Sequence, residues 1–450
     1  MAKSKTESFH QAALLSSLVS HDELQQAENG LADGGIAAGL ADDEQAHFVA
    51  DQLVESQVLS RYQADQILGG RTKFTLGPYI IADWLGQGGM GQVFKATHEV
   101  MGREVAVKVL PVDKSTPYAI ANFIREIRTQ AQLDHPHLVR AHDAGHDGDV
   151  HFLVTEFVAG TDLRRLVRTH GPLSVRQAAS IIMQAARGLA YAHDKNLIHR
   201  DVKPGNIMVT PEGLAKVSDL GLAGFMDATE DDPRSGKIVG TADYLSPEQI
   251  RTPNSITPSS DIYSLGCTLY YAVTGKVPFP GGSTNDKAHR HLHDHPWHPR
   301  RFNSHVTEEF VEVIADMMEK EPSKRIGSAV EVAKRLEAFA DDLVSIPTAP
   351  MVQSPWSVPP LPGQEEQILD DDLVLPLDDA LAQVTRSSQM SGQDTQQSEP
   401  GSIPPPPMSG VEAEPASLWD DTRVTVMVAA ALGVGGLVGI LFGLCLGAIF

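Results

Sequence analysis

Three glycines in the stretch WLGQGGMGQVFKA restrict what the surrounding residues can fold into. Gly86, Gly88 and Gly91 follow a G-x-G-x-x-G pattern, and Val93 comes two residues after the last of them. Glycine has no Cβ, so its backbone can approach a phosphate closely. No G-K-[ST] follows, which excludes a Walker-type loop, and QVFKATH predicts a strand where a Rossmann fingerprint requires a helix. What remains is a β-hairpin whose glycine turn lies over a ligand, although glycine-rich turns without ligands are as common.

The next two segments supply a cation and a carboxylate. REVAVKVL alternates valines with Lys108 inside the run and predicts a strand, and NFIREIRTQAQLDHPHLV predicts a helix that carries Glu126. A lone lysine in a strand usually lies on its solvated face. An exposed ion pair contributes only about 0–1 kcal/mol. If Glu126 reaches Lys108, positioning a phosphate-binding ammonium is therefore a better reason for the pair than stability.

The stretch LIHRDVKPGNIMV places Asp201 between Arg200 and Lys203, with Asn206 five residues after the aspartate. Surface charge runs also produce such patterns by accident. In AKVSDLGLA, however, Asp219 lies at the end of a predicted strand, and its carboxylate together with the Asn206 amide offers the hard oxygen ligands that Mg²⁺ prefers. Asp201 is then free to accept a proton from an alcohol, and Lys203 can neutralise charge on a phosphoryl group.

Together with GTADYLSPEQ, these motifs carry a resemblance. Residues 79–342 resemble a eukaryotic-type (Hanks-type) serine/threonine protein kinase domain, particularly the bacterial membrane-anchored kind. The resemblance implies an α+β, bilobal fold, with a small β-sheet lobe that has one helix and a larger helical lobe. It also implies transfer of the γ-phosphate of ATP to protein Ser/Thr hydroxyls, with Mg²⁺, in membrane-linked signalling.

The resemblance assigns a role to each matching residue. Asp201 orients and deprotonates the substrate hydroxyl, and Lys203 contacts the γ-phosphate. The metal ligands are Asn206 and Asp219. The remaining nucleotide contacts fall on the glycine hairpin, the strand lysine with its helix glutamate, and the hinge backbone: Leu85, Gly86, Gly88, Gly91, Val93, Lys108, Glu126, Glu156 and Val158.

Further residues receive supporting roles from the same resemblance. Thr155 is implied to be the gatekeeper before the hinge, and Thr241 to pack beside Lys203 under the substrate. Glu248 is implied to pair with Arg325, and Asp261 to brace the catalytic loop from below.

The resemblance also implies control by phosphorylation, because Arg200 precedes the catalytic aspartate. The segment GFMDATEDDPRSGKIVGT offers Thr229 and Ser235 as acceptors. The acidic residues 230–232 already supply carboxylates beside Thr229 and compete for the same role. We expect autophosphorylation at Thr229 or Ser235.

Three departures from the family pattern stand out. DLG replaces D-F-G and SPE replaces A-P-E, but both variants keep the charged residues, so activity is still expected. HRHLHDHPWHP, from His289 to Pro299, invites a zinc-site interpretation. Kinases of this kind often carry a His- and Pro-bearing loop at this place, and we favour that interpretation.

Composition excludes other classes. The formal net charge of −22 argues against a nucleic-acid binder. The two cysteines, Cys267 and Cys445, build neither a disulfide framework nor a cysteine-rich metal site.

A pseudokinase scaffold would lack Lys108, Asp201 or Asp219, and all three are present. GTADYLSPEQ, which shapes a peptide-binding surface in kinases, disfavours a small-molecule phosphotransferase.

Outside the kinase-like region the chain has three further parts. Residues 1–70 predict a small helical module with a weak internal repeat, LVSHDELQQA and VLSRYQADQI, and resemble leader segments of such kinases in planctomycete-like bacteria. Residues 343–423 are rich in Pro, Ser, Gln and acidic residues and predict a disordered linker. Residues 424–450 carry no charge and exceed the roughly 20 apolar residues that span a bilayer, which predicts a transmembrane helix.

The predicted span also suggests an association. Its glycines recur every four residues on one helix face, at Gly435, Gly439, Gly443 and Gly447. Small residues at this spacing let two membrane helices approach closely. A homodimer through the span is therefore possible, against the alternative that glycine is simply frequent in membrane helices. The kinase domain is expected in the cytoplasm, where ATP and Mg²⁺ are found.

Overall fold

The computed structural model describes residues 4–33, 40–88, 91–110, 116–219, 224–225 and 240–340. The predicted linker, the predicted membrane span and the acceptors Thr229 and Ser235 lie outside these residues. Among the helices that are described, none is both long enough and apolar enough to cross a membrane. The anchor and the linker therefore stay predictions.

Four helices precede the sheet. They are α1 (Lys5–Leu15), α2 (His21–Asp33), α3 (Asp42–Glu55) and α4 (Arg61–Leu68). The turn between α1 and α2 resembles the turn between α3 and α4, and each contains one non-glycine residue with positive φ, Ser17 at 58° and Gln57 at 61°. These residues lie forty positions apart, as do Ser20 and Ser60 at the starts of α2 and α4. Apolar side chains from all four helices, among them Phe9, Leu24, Leu53 and Ile67, share one buried cluster.

A six-stranded antiparallel sheet follows, in the order β1-β2-β3-β4-β6-β5. The strands are β1 (Thr75–Leu76), β2 (Tyr79–Gly88), β3 (Gly91–His98), β4 (Glu104–Leu110), β5 (Ala141–Asp147) and β6 (Val150–Glu156), and helix α5 (Pro117–Gln130) lies between β4 and β5. The strand predicted after the glycine turn and the strand around Lys108 are thus confirmed. Alternation along β4 sends Val105 and Val107 to one face and Leu110 to the other, where Leu110 packs with Phe123 of α5.

The larger lobe is mainly helical. Its helices are α6 (Leu163–His170), α7 (Val175–Asp194), α8 (Pro247–Arg251), α9 (Pro258–Thr274), α10 (Thr284–His293), α11 (Glu308–Met317) and α12 (Ala329–Glu337). Its short strands are β7 (Thr161–Asp162), β8 (Leu197–Ile198), β9 (Ile207–Val209), β10 (Ala215–Val217) and β11 (Gly224–Phe225). Every side chain of α9 from Ser260 to Thr274 is buried, and the α9 thiol, Cys267, belongs to the lobe's hydrophobic core. An α+β fold with a sheet lobe and a helical lobe is confirmed.

His291, in the histidine-rich stretch, is fully buried against the core of the large lobe. Its Nδ1 lies 2.9 Å from the Tyr263 hydroxyl, and its ring contacts Phe279 edge to face. The Lys320 ammonium donates to the Tyr263 hydroxyl at 3.1 Å and to the His291 carbonyl at 2.8 Å. Within the described ranges no group of three or more His, Cys, Asp or Glu side chains is placed to hold a metal ion. His291 thus contributes to packing and to a buried polar cluster.

This burial gives a pH-dependent stability. Burial, together with the nearby Lys320 charge, lowers the pKa of His291 to about 3 from its usual 6.5. The unfolded chain therefore binds the additional proton between these values, and stability should fall as pH falls through that window. Between pH 7 and pH 5 the loss from this group is about 2 kcal/mol. Denaturant unfolding of the wild type and His291→Asn at both pH values measures it.

The exposed neighbour His289 provides the matched control. His289→Asn should keep the wild-type loss between pH 7 and pH 5, and His291→Asn should reduce that loss by about 2 kcal/mol. An equal pH dependence in all three proteins would contradict the assignment to His291.

Candidate active site

The loop that carries Asp201 lies between β8 and β9 and is fixed by Asp261. The two carboxylate oxygens of Asp261 accept the backbone N–H groups of His199 and Arg200, each at 2.8 Å, and the His193 ring lies 2.8 Å away. Burial alone would raise the pKa of Asp261, but its hydrogen bond with His193 holds that pKa below the usual range. Arg200 has a φ of 70°, an uncommon backbone conformation for a non-glycine residue, and this anchoring maintains it. The predicted brace at Asp261 is confirmed.

A hydrogen-bonded chain connects Lys203, Thr241 and Asp201. The Lys203 ammonium donates to the Thr241 hydroxyl at 2.9 Å, and that hydroxyl donates to Oδ1 of Asp201 at 2.9 Å. The backbone N–H of Thr241 donates to the same oxygen at 2.9 Å, and Lys203 lies 3.1 Å from Oδ2. Thr241 packs beside Lys203 as predicted. The arrangement fixes the orientation of the carboxylate and brings the ammonium next to it.

Asn206 and Asp219, the predicted metal ligands, lie on segments that hydrogen-bond to each other. The backbone N–H of Ser218 donates to the Asn206 carbonyl at 2.8 Å. The side-chain amide of Asn206 donates through Nδ2 to the Asp201 carbonyl at 2.9 Å, so its amide oxygen is the atom left to act as a ligand. Asp219 has a φ of 62°, and its carboxylate is 46 % exposed and open to solvent. One amide oxygen and one accessible carboxylate fit Mg²⁺, which prefers oxygen ligands.

Lys108 contacts the same aspartate. Its ammonium lies 2.5 Å from Oδ1 of Asp219 and is 12 % exposed. The positive charge of Lys108 lowers the pKa of Asp219, so the carboxylate stays ionised at neutral pH. The residue predicted to pair with Lys108, Glu126, lies on α5, but its side chain lies outside the described residues. The Lys108–Glu126 pair therefore stays a prediction.

The glycine hairpin is formed by β2 and β3. Gly86 lies opposite Val93, and Gly88 lies opposite Gly91, while the two residues of the turn lie outside the described ranges. An ideal Cβ placed on Gly86 would meet no described atom within 4 Å. The surrounding protein therefore does not require glycine here, which agrees with space kept for a ligand. The adjacent Leu85 is 41 % exposed.

The predicted hinge follows β6. The backbone N–H of Glu156 donates to the Arg140 carbonyl at 2.9 Å, and its carboxylate accepts the Lys216 ammonium at 2.7 and 2.9 Å. Thr155 is half-buried, and Val158 is 9 % exposed. The side chain of Glu156 thus ties the segment to β10, a contact that sequence reasoning missed. Contact of the hinge backbone with adenine stays a prediction.

The segment after Thr241 is held by a buried ion pair. Arg325 and Glu248 meet at 2.7 Å between Nη1 and Oε1, with 0 % and 8 % of their side chains exposed. Burial alone would raise the pKa of Glu248, but hydrogen bonding to Arg325 and its charge hold that pKa below the usual range. The predicted pair is confirmed. The serine of SPE, Ser246, is the N-cap of α8 and accepts from the N–H of Gln249.

Gln249 was not identified from the sequence as a site residue. Its Nε2 donates to the Arg200 carbonyl at 2.8 Å and so connects α8 to the catalytic loop. Gly240, beside the same carbonyl, has a φ of 127°, and a Cβ there would lie 3.0 Å from the Arg200 oxygen and 2.8 Å from a Leu245 methyl. Only glycine fits this close approach.

A two-lobed fold with a glycine hairpin, a strand lysine, and an aspartate–lysine–threonine cluster is typical of the protein kinase class of phosphotransferases. The chain belongs to the protein kinase family, because the family description "Protein kinase domain" matches residues 79–336. The match begins at the predicted boundary and ends six residues before the predicted one, next to the end of α12.

Curated relatives agree with this family. A serine/threonine-protein kinase PknB from Mycolicibacterium smegmatis is 37 % identical over 292 residues, which cover 63 % of this chain and 47 % of that protein. A probable serine/threonine-protein kinase, CE0033, from Corynebacterium efficiens is 38 % identical over 62 % of this chain and 43 % of that protein. A serine/threonine-protein kinase PknA from Mycobacterium tuberculosis is 41 % identical over 49 % of this chain and 52 % of that protein. The chain thus spans about half the length of the curated relatives it matches.

Proposed function

We propose that the chain is a protein serine/threonine kinase that transfers the γ-phosphate of ATP to Ser and Thr hydroxyls of proteins. The observation that carries this proposal is the hydrogen-bonded chain from Lys203 through Thr241 to Asp201. It sets a carboxylate and an ammonium side by side in fixed orientation, as general-base transfer of a phosphoryl group requires. Membership of the kinase family and the names of the relatives support the same function.

The reaction assigns a task to each residue. The substrate hydroxyl oxygen bonds to the γ-phosphorus while the bond from that phosphorus to the β–γ bridging oxygen breaks, so that ADP leaves. Asp201 accepts the hydroxyl proton, and Lys203 offsets charge on the transferring group. Lys108 binds the α- and β-phosphates. Mg²⁺, bound by Asn206 and Asp219, would supply charge neutralisation at the phosphates.

Acceptor choice tests this proposal. Three otherwise identical peptides with Ser, Thr or Tyr at the acceptor position are incubated with the full chain, ATP and Mg²⁺. We expect phosphorylation of the Ser and Thr peptides only. Phosphorylation of the Tyr peptide at a comparable rate, or of none, would contradict the assignment.

A phosphorylation switch is part of the proposal. Arg200 directly precedes the catalytic aspartate, and its backbone is held by Asp261 and Gln249. A phosphate in the segment 220–239 that pairs with the Arg200 side chain would therefore act on the catalytic loop. A phosphate adds about −1.5 to −2 charge. Phosphatase-treated protein should show a lag in activity that shortens as protein concentration rises.

The double variant Thr229→Ala with Ser235→Ala should lack the acceleration that follows this lag. Progress curves of peptide phosphorylation at several enzyme concentrations measure both effects. Linear curves from the start in both proteins would indicate that the acidic residues 230–232 already order the segment, and the switch would be dropped.

We also propose that residues 424–450 anchor the kinase in the cell membrane, with the kinase domain in the cytoplasm. The support is the uncharged run itself and the cytoplasmic supply of ATP and Mg²⁺. The full chain should sediment with membranes and resist carbonate extraction, whereas residues 1–423 should not. Protease added to intact cells should leave the kinase domain intact. Degradation from outside, or a soluble full chain, would contradict this proposal.

A homodimer through the span is proposed on the glycine spacing. Gly439→Ile together with Gly443→Ile should abolish self-association of residues 424–450 in a membrane reporter assay, because a bulky side chain prevents close approach of two helices. Ala448→Ile, a similar small-to-large change on the opposite face of the helix, is the matched control and should leave association intact. Unchanged association in the double variant would contradict the dimer.

A further inference from the structure

Strand β2 carries two bulges before the glycine hairpin. Ile81 lies opposite Ala96 and Asp83 lies opposite Lys95, so Ala82 is an additional residue without a counterpart in β3. The same shift recurs between Trp84 and Gly86. A bulge bends its strand and leaves backbone groups outside the regular ladder, and it commonly re-aims the residues that follow. The first bulge therefore helps to set the direction in which the hairpin leaves the sheet.

Side chains from α4 bind this first bulge. Nε2 of Gln63 donates to the Ile81 carbonyl at 2.8 Å, and the Ser60 hydroxyl donates to the Ala82 carbonyl. Between them, Tyr62 is 7 % exposed and belongs to the hydrophobic cluster of the small lobe. The helix is thus attached to the sheet by two hydrogen bonds and one buried aromatic ring.

The same two polar side chains also begin the helix. The Ser60 hydroxyl accepts the N–H of Gln63 at 3.0 Å, and Oε1 of Gln63 accepts the N–H of Ser60 at 2.9 Å. This is a capping box, in which either Glu or Gln serves at the third helical position. Capping alone therefore does not require an amide at position 63.

The start of α2 shows the same box without the second contact. Forty positions earlier, the N–H and hydroxyl of Ser20 both donate to Oε2 of Glu23, at 2.8 and 2.7 Å, and both hydrogen bonds are exposed to solvent. A carboxylate suffices there, because the side chain only accepts. At position 63 the side chain accepts from the cap and donates to β2, and only an amide does both.

We infer that Ser60 and Gln63 are positioning residues for the nucleotide: by holding the bulge at Ile81 and Ala82, α4 sets the height of the glycine hairpin over ATP. Leu85 and Gly86 follow Ala82 by three and four residues, so a displacement of the bulge is transmitted directly to the residues that cover the phosphates. The inference rests on the proposed function, and it gives the N-terminal helices a task in ATP binding.

Two substitutions keep the cap and remove the donor to β2. Gln63→Glu and Ser60→Asp both retain a capping acceptor, but each places a carboxylate against a backbone carbonyl. We expect KM for ATP to rise about three- to tenfold, the worth of one or two hydrogen bonds, with kcat for a Ser peptide within about twofold. Ser60→Thr, which keeps the donor, should restore the wild-type KM. The matched controls Ser20→Asp and Glu23→Gln should leave KM unchanged.

Amide hydrogen exchange gives a readout that needs no nucleotide. Gln63→Glu and Ser60→Asp should accelerate exchange in residues 81–88, and the controls should not. A wild-type KM in both variants would overturn the inference. Equal loss of kcat and affinity, shared with the controls, would overturn it as well, because that pattern indicates general destabilisation. Accelerated exchange in Gln63→Glu and Ser60→Asp, together with a wild-type chain that binds no ATP analogue, would support the contact with the hairpin and refute the proposed kinase function.

Discussion

Asp201→Asn should lower the rate of phosphoryl transfer by about 10²–10⁴-fold, the usual worth of a positioned general base. The substitution keeps the size of the side chain and the acceptor that faces Thr241, so the loop should retain its conformation. ATP binding should stay nearly unchanged, because the carboxylate is held by Thr241 and Lys203 and the nucleotide contacts are assigned to other residues. Transfer rates to a Ser peptide and titration with a fluorescent ATP analogue measure the two quantities.

The control for this variant is Asp194→Asn, at the exposed end of α7. It removes one carboxylate from the same lobe without touching the loop and should leave both quantities unchanged. Full turnover in Asp201→Asn would show that this carboxylate is not the base, and the assigned mechanism would be wrong.

Arg325→Met should destabilise the large lobe by about 3–5 kcal/mol, because it leaves the buried Glu248 charge without its partner. Ser260 still donates to this carboxylate at 2.8 Å, but a hydroxyl does not replace a guanidinium. Activity should fall at temperatures where the wild type is still folded, since α8 carries the Gln249 contact with the catalytic loop. Denaturant unfolding measures the loss.

Adding Glu248→Leu to Arg325→Met should recover a large part of that stability. The pair is then replaced by apolar groups of similar volume, which is often neutral or stabilising for a buried ion pair. Lys324→Met, at the exposed neighbouring position, is the control and should stay near the wild type. A double variant that is no more stable than Arg325→Met would contradict the account of an uncompensated charge.

Much of the site was accessible from the sequence, because its key residues lie in short motifs. The strand after the glycine turn, the loop flanked by apolar pairs around Asp201, and the carboxylate of Asp219 each depend on neighbours within a few positions. The long-range pairs of Asp261 and Glu248 could be predicted only through the resemblance to kinases. Nothing in the spacing of those residues indicates their contacts.

Other contacts could not be predicted because they join residues whose positions only the tertiary fold determines. Lys216 contacts Glu156, sixty positions away in the chain. Gln249 donates to the Arg200 carbonyl, but its part in the capping box of α8 already explains a glutamine at that position. Ser60 is a similar case, since capping fully accounts for a serine at that position. Its second role depends on a bulge in β2 that no sequence pattern indicates.

The most direct test of the central claim uses the purified full chain, γ-labelled ATP, Mg²⁺ and a generic basic protein as acceptor. We expect label on serine and threonine of the acceptor, and we expect Asp201→Asn and Lys108→Met each to abolish nearly all of it. Absence of label with the wild type, or equal label with Asp201→Asn, would contradict the conclusion that this chain is a protein serine/threonine kinase acting through Asp201.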